Sequence, residues 1–201
     1  MLTRRSFVAA AAFAAAVSIS PLARPALADQ ASLEAFIGSL SKQAITELTS
    51  AGTYKERAAK LLPILQKFFD MPKLAKHTLG LYWKRATPEE RDAYVAVFTE
   101  YMSAVYGKRF AEYSGQQLAV QKVRESGDTS TVFTIVKGAE GEPRVDWDVN
   151  TNGGNNMITD VRVEGLSLAE THRQEFASVI SSNGGKVQAL IDILKKKVAS
   201  I

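Results

Sequence analysis

The chain has no cysteine and only two histidines among its 201 residues. Without cysteine there is no disulfide, no thiolate zinc site, no thiol nucleophile and no lipidated N-terminal cysteine. Two histidines leave little material for a histidine metal centre. The G-x-S-x-G, G-x-x-x-x-G-K, H-E-x-x-H and dinucleotide glycine patterns are all missing, so the common local signatures of hydrolases, P-loop enzymes, zinc peptidases and Rossmann enzymes are absent. No apolar run reaches the roughly 20 residues that span a bilayer. Charge of one sign is missing too, with 25 Lys+Arg against 21 Asp+Glu.

Most of the small basic excess lies at the start. Residues 1–28 hold Arg4, Arg5 and Arg24 and no acid, which leaves 22 basic and 21 acidic residues in the other 173. A nucleic-acid-binding domain usually carries a marked basic face, and this balance gives no support for one. The same 28 residues have the three parts of an export leader: the charged Thr3-Arg4-Arg5-Ser6-Phe7, the apolar Val8–Ile19 run, and Ala26-Leu27-Ala28 as an A-x-A cleavage site before Asp29. The paired arginines resemble the twin-arginine class, with an ordinary secretory signal as the alternative. The reading is a cleaved leader over 1–28 and one periplasmic domain over 29–201, with an apolar content of 46% that suits a globular core.

Periodicity divides that domain in two. Leu33, Phe36, Ile37, Leu40, Ala44 and Leu48 recur at helical spacing up to Ala51-Gly52. A second helix carries Tyr54, Ala58, Leu61, Leu62, Leu65, Phe68 and Phe69, with Pro63 expected to kink or split it. Asp70 and Pro72 open a short helix that Gly80 closes. Thr87-Pro88-Glu89-Glu90 is a capping box that starts the clearest helix, expected to run to about Tyr113. The period then becomes two, and 117–124, 129–137, 143–150 and 157–164 read as four antiparallel strands joined by turn residues, including the Asn152–Asn156 stretch. Ser167 and Glu170 form a second capping box, and Asn183-Gly184-Gly185 separates two last helices. The expected fold is α+β: N-terminal helices, a curved four-stranded antiparallel sheet, and two C-terminal helices.

Candidate chemistry is sparse. His77 and His172 read as surface or structural residues. Asp146 and Asp148 share one side of a strand, with Asp160 next door, but strand alternation already requires polar residues there. Lys195-Lys196-Lys197 lies where cations complement a helix C-terminus. Lys84, Arg85, Lys108 and Arg109 are exposed by pattern, as a solvated or partner-facing surface. Large apolar side chains are plentiful, and Phe98, Tyr101, Met102, Val105, Phe133, Ile135, Trp147, Val149, Val161 and Val163 are expected to line one interior. Patterning alone does not separate a filled core from a hollow one.

Several motifs in order settle the choice. Phe69-Asp70-Met71, Leu79-Gly80-Leu81-Tyr82-Trp83, Ala86–Arg91, Val145-Asp146-Trp147, Ile158–Val161, Val163–Leu168, Arg173 with Phe176, and Asn183-Gly184-Gly185 together resemble the MlaC, or toluene-tolerance, family. His172 departs from the aromatic expected before the arginine, and the twin-arginine-like leader is less usual for the family. The resemblance implies a cone similar to the cystatin and nuclear-transport-factor folds, with acyl tails inside and the headgroup outside. It implies a monomeric periplasmic phospholipid carrier, without catalytic residues, metal or other cofactor. Its partners would be an inner-membrane ABC transporter and an outer-membrane lipoprotein/porin complex, and its role the maintenance of outer-membrane lipid asymmetry. Little headgroup selectivity is expected. The rivals are a cone-fold enzyme acting on a small apolar substrate, which needs a base inside the pocket, and a ligand-free assembly factor with a solid core.

Overall fold

The computed structural model describes residues 25–152 and 155–201; the leader up to residue 24 and the tip of the 152–156 turn lie outside them. Three helices come first: α1 (Pro25–Thr49), α2 (Tyr54–Phe68) and α3 (Met71–Leu79). A 3-10 turn over Gly80–Lys84 leads to α4 (Pro88–Arg109). A second 3-10 turn over Phe110–Glu112 then feeds β1 (Gln117–Ser126). The strands β2 (Thr129–Lys137), β3 (Arg144–Asn150), β4 (Met157–Val163) and β5 (Leu166–Ser167) follow, and α5 (Leu168–Ser182) and α6 (Val187–Ala199) close the chain.

Local chemistry fixes the helix starts. Thr87 accepts the Glu90 N–H while the Glu90 carboxylate takes the Thr87 N–H, completing the expected box. Thr53 and Glu56 make a second such box at α2. At α5 only half of the expected box forms: Ser167 accepts the Glu170 N–H, but the Glu170 carboxylate turns to Arg173 at 3.1 Å and His77 at 3.5 Å. Arg173 is thus an ion-pairing residue of α5, and its guanidinium stem packs under Gly80, whose positive φ of 56° suits glycine. Pro63 does not split α2. Pro63 and Ala59 are both exposed, so the carbonyl deprived of its usual N–H faces water.

The five strands pair in sequence order as an antiparallel meander, one more than expected because β5 is only two residues long. Helix α2 packs on α1 and α4, α4 on α6, and α3 on α5, while α1 crosses over β1 and α5 and α3 cover β4. A single bridge from Phe69 to Ile158, with the Asp70 N–H on the Ile158 carbonyl at 2.9 Å, ties the α2–α3 junction to the sheet.

Register corrects one face assignment. Val132 lies opposite Trp147 and Thr134 opposite Val145, whereas Phe133 lies opposite Asp146 and Ile135 opposite Arg144. Directly paired residues share a face, so Phe133 and Ile135 belong to the outer face and Val132 and Val136 to the inner. Phe133 is accommodated there by two cations of β1, Lys122 at 4.6 Å and Arg124 at 5.4 Å from its ring.

Candidate functional site

Between helices and sheet lies a cavity of about 560 Å³, within the size range of small-molecule sites. Its walls come from nearly every element. Helix α1 contributes Leu40, Ala44, Ile45 and Leu48; α2 contributes Leu61, Ile64 and Leu65; and Phe69, Met71 and Leu74 follow from the junction and α3. Helix α4 presents Phe98, Met102, Tyr106 and Arg109, spaced by three or four residues and therefore one stripe. The sheet adds Leu118, Val136, Trp147 and Val161, and α5 adds Leu168, Ala169 and His172.

Of the ten expected lining residues, Phe98, Met102, Trp147 and Val161 stand in this wall. The other six lie elsewhere. Tyr101 and Val105 form the neighbouring stripe of α4. The Tyr101 ring meets Phe176 edge-on at 6.0 Å and carries Lys197 over its face at 5.7 Å. Helix α4 is enclosed by α2, α6 and the cavity, so more than one of its faces is apolar and periodicity does not rank them. Phe133 and Ile135 face outward, as above. Val149 is wholly buried, but it pairs with Ile158 beyond a bulge and packs into solid core. Val163 is exposed at the end of β4.

The polar groups in the wall are mostly engaged. The Thr78 hydroxyl and the Tyr94 phenol share a hydrogen bond of 2.8 Å, and burial pushes the Tyr94 phenol up. Asp160 Oδ1 accepts the N–H of Val161 at 2.8 Å and of Ala169 at 3.1 Å, so it caps the start of α5. The indole N–H of Trp147 donates to Thr134 Oγ1 at 3.1 Å, which fixes the ring against the cavity. His172 is not a surface residue. It is 8% exposed, stacks on Phe176 and sits between the Tyr106 hydroxyl at 3.4 Å and Glu175 at 3.3 Å. Burial holds its imidazole below the ordinary value, against the opposing pull of Glu175. Ala169, His172, Phe176 and Ile180 form the buried stripe of α5, a helical spacing visible in the sequence.

The outer face of the sheet holds Asp146 and Asp148, two of the three carboxylates considered for a metal. Asp148 is clasped by the two terminal guanidinium nitrogens of Arg162, at 2.5 and 2.6 Å, and accepts the Thr131 hydroxyl. Asp146 is buried and pairs with Arg144 at 3.2 Å. Among the described residues no group of three or more potential ligands comes together for a metal ion. Nor is any described helix long and apolar enough to cross a membrane.

Fold and site define a class: an α+β domain whose helices and antiparallel sheet enclose an apolar cavity. Residues 39–196 match the family described as MlaC protein, and the chain belongs to the MlaC family. Two curated relatives are the toluene tolerance protein ttg2D of Pseudomonas putida, 26% identical over 113 residues, and the intermembrane phospholipid transport system binding protein MlaC of Haemophilus influenzae, 21% identical over 112 residues. These alignments cover 55% and 53% of this chain and 53% and 52% of the relatives, so the chain spans about half the length of the curated relatives it matches. Among solved structures, a phospholipid-binding protein from Ralstonia solanacearum in complex with a phospholipid superposes with a TM-score of 0.70 at 22% identity. That match covers 83% of this chain and 96% of the other, and it establishes the shared fold.

Proposed function

We propose that this protein is a soluble periplasmic phospholipid carrier, and the observation that supports it best is the apolar cavity enclosed between α1, α2, α4 and the sheet. Two acyl chains hold about 30 methylenes, and exposing each to water costs about 0.8 kcal/mol, or roughly 25 kcal/mol in all. A lipid crosses water at a useful rate only if that surface stays covered. Walls of Leu, Ile, Phe, Met and Trp replace the bilayer interior almost evenly, so exchange with a membrane is close to neutral in free energy. Direction then comes from the partners: an inner-membrane ABC transporter and an outer-membrane lipoprotein/porin complex, with outer-membrane lipid asymmetry as the outcome. In this reading residues 1–28 are a cleaved leader, the remainder is one monomeric domain, and no cofactor or catalytic step is involved. The lipid sleeve is Phe98, Met102, Trp147 and Val161 with the α1 and α2 residues opposite them.

One observation favours an enzyme as the second reading: His172, with Glu175 and Tyr106, stands in the cavity wall where a base would be needed. Native mass spectrometry of the purified mature protein, with extraction of any adduct, separates the two. An intact diacyl phospholipid at one per chain supports the carrier. Lysophospholipid with free fatty acid supports the enzyme. A bare protein that takes nothing from vesicles overturns the carrier and leaves the ligand-free factor or an enzyme acting on a small apolar substrate.

A further inference from the structure

The cavity changes character where it meets the surface. The last turn of α4, the 3-10 turn after it and the entry to β1 place Arg109, Glu112, Tyr113, Gln116 and Gln117 on one rim. The Gln117–Lys137 pairing brings Ala139, beyond β2, to the same rim. Arg109, Glu112 and Gln117 are exposed there. Gln116 is occupied locally, its carbonyl accepting the Ser114 N–H and its amide donating to the Ser114 hydroxyl. Arg109 is different. It is the one cation among the lining residues, and among the described residues no carboxylate lies within ion-pair distance of it. Its guanidinium rests over the Tyr106 ring at 5.6 Å, and Tyr106 is itself part of the cavity wall. The preceding Lys108 turns the other way, over Tyr54 at 5.8 Å.

A guanidinium held beside an aromatic face, with no ion pair among the described residues, keeps its N–H groups free, and their fork matches the paired oxygens of a phosphate ester. We propose that Arg109 is a phosphate-anchoring residue: it binds the phosphodiester of a lipid whose tails fill the cavity, and so sets the lipid's depth and orientation. Glu112 on the same rim cancels the local charge, so the attraction is short-ranged recognition and not a general basic patch. The phosphodiester is common to all glycerophospholipids, so this contact separates phosphorylated from unphosphorylated lipids and leaves the choice among headgroups open. The inference rests on the carrier reading and adds to it a residue that reads the ligand.

The test is a competition. Delipidated protein is incubated with vesicles containing phosphatidylcholine and diacylglycerol of identical chains, and the ratio of the two lipids extracted with the protein is measured. Comparing variants on the same vesicles cancels the different tendencies of the two lipids to leave a membrane. Losing a charge-assisted hydrogen bond at an exposed site is worth about tenfold, so Arg109→Gln is expected to lower the phosphatidylcholine preference about tenfold. Arg109→Lys, which keeps the charge without the fork, is expected to fall between. Inorganic phosphate alone is expected to leave the thermal midpoint of the delipidated wild type unchanged. A midpoint raised by phosphate in the wild type but not in Arg109→Gln, with no change in lipid ratio, would assign the site to free phosphate and overturn the proposal. An unchanged ratio with normal total uptake overturns it alone. Failure of the wild type to take up either lipid overturns the carrier reading and this inference together.

Discussion

Replacing Ala44 with tryptophan puts an indole into the cavity from its α1 wall, where Ala44 faces the space between Leu40 and Leu48 on the same helix. Nine added heavy atoms at the close packing of protein interiors occupy roughly 140 Å³, about a quarter of a cavity of about 560 Å³. Volume left empty in a protein core costs about 24 cal/mol per Å³, and the same coefficient applied to the space denied to the lipid gives about 3.4 kcal/mol, on the order of 300-fold in retention. The fold itself should tolerate the change. Ala44 borders open space that the indole can enter, and tryptophan in place of alanine costs a helix only about 0.7 kcal/mol or less. The assay has two parts: lipid per chain by native mass spectrometry after purification, and release of a fluorescent phospholipid to acceptor vesicles. Ala59→Trp, on the exposed side of α2, is the control for a surface indole. The expected result is a folded Ala44→Trp protein with a thermal midpoint within a few degrees of wild type and little bound lipid. Wild-type occupancy in that folded variant would refute the assignment of this cavity as the lipid sleeve.

Trp147→Ala should accelerate lipid release because it opens the sheet wall, whereas Phe133→Ala, on the outer face, should leave occupancy unchanged; the same transfer assay checks both, and the opposite ranking would refute the face assignment. Gly107 lets α2 and α4 touch: a Cβ there would lie 2.9 Å from the Ala58 backbone nitrogen. Gly107→Ala should therefore destabilise by about 2 kcal/mol through overpacking, read as a lowered denaturant midpoint, and an unchanged midpoint would show that the helices separate easily. His172 predicts a pH effect. Its folded-state value lies below the ordinary 6.5, chiefly through burial, with Arg109 and Lys197 adding to the lowering and Glu175 opposing it. The unfolded chain therefore binds more protons in the window below 6.5, and wild-type stability should fall as pH drops through it. In His172→Phe that component disappears, so the difference in thermal midpoint between the two proteins should change between pH 7.5 and 5; a constant difference would refute it.

Much of the fold is local chemistry and so was readable from residue order. The capping pair Thr87/Glu90 starts α4 one residue on, and the turn residues at 126–128 and 138–141 separate strands close to their expected ends. Strand β5 was not readable, because two residues carry no period. The end of α4 was misplaced by the 3-10 turn, since Phe110 stays apolar while the backbone tightens. Of the two readings of His172, surface or structural, the structure takes the second, and its spacing from Phe176 and Ile180 already points to the buried side of α5.

The cavity is a different matter, as Val149 and Val161 make plain. Both are inward valines on adjacent antiparallel strands, and nothing in their immediate sequence tells them apart. One is sealed into solid core with Ile158; the other borders open space. What separates them is the layer above: the α2–α3 junction is tied to Ile158 by Phe69 and Asp70, so helices close down on that end of the sheet. At the other end, α1 and the α4–β1 connection span the layers above Trp147 and Val161, and the void lies between them and the sheet. Hollowness is thus a property of how two correctly patterned layers are held, and the Asp70–Ile158 backbone hydrogen bond, between residues about 90 positions apart, is one of the ties that hold them. Inward-facing periodicity finds the layers, and long-range ties of this kind, which no local pattern carries, decide where a ligand has room.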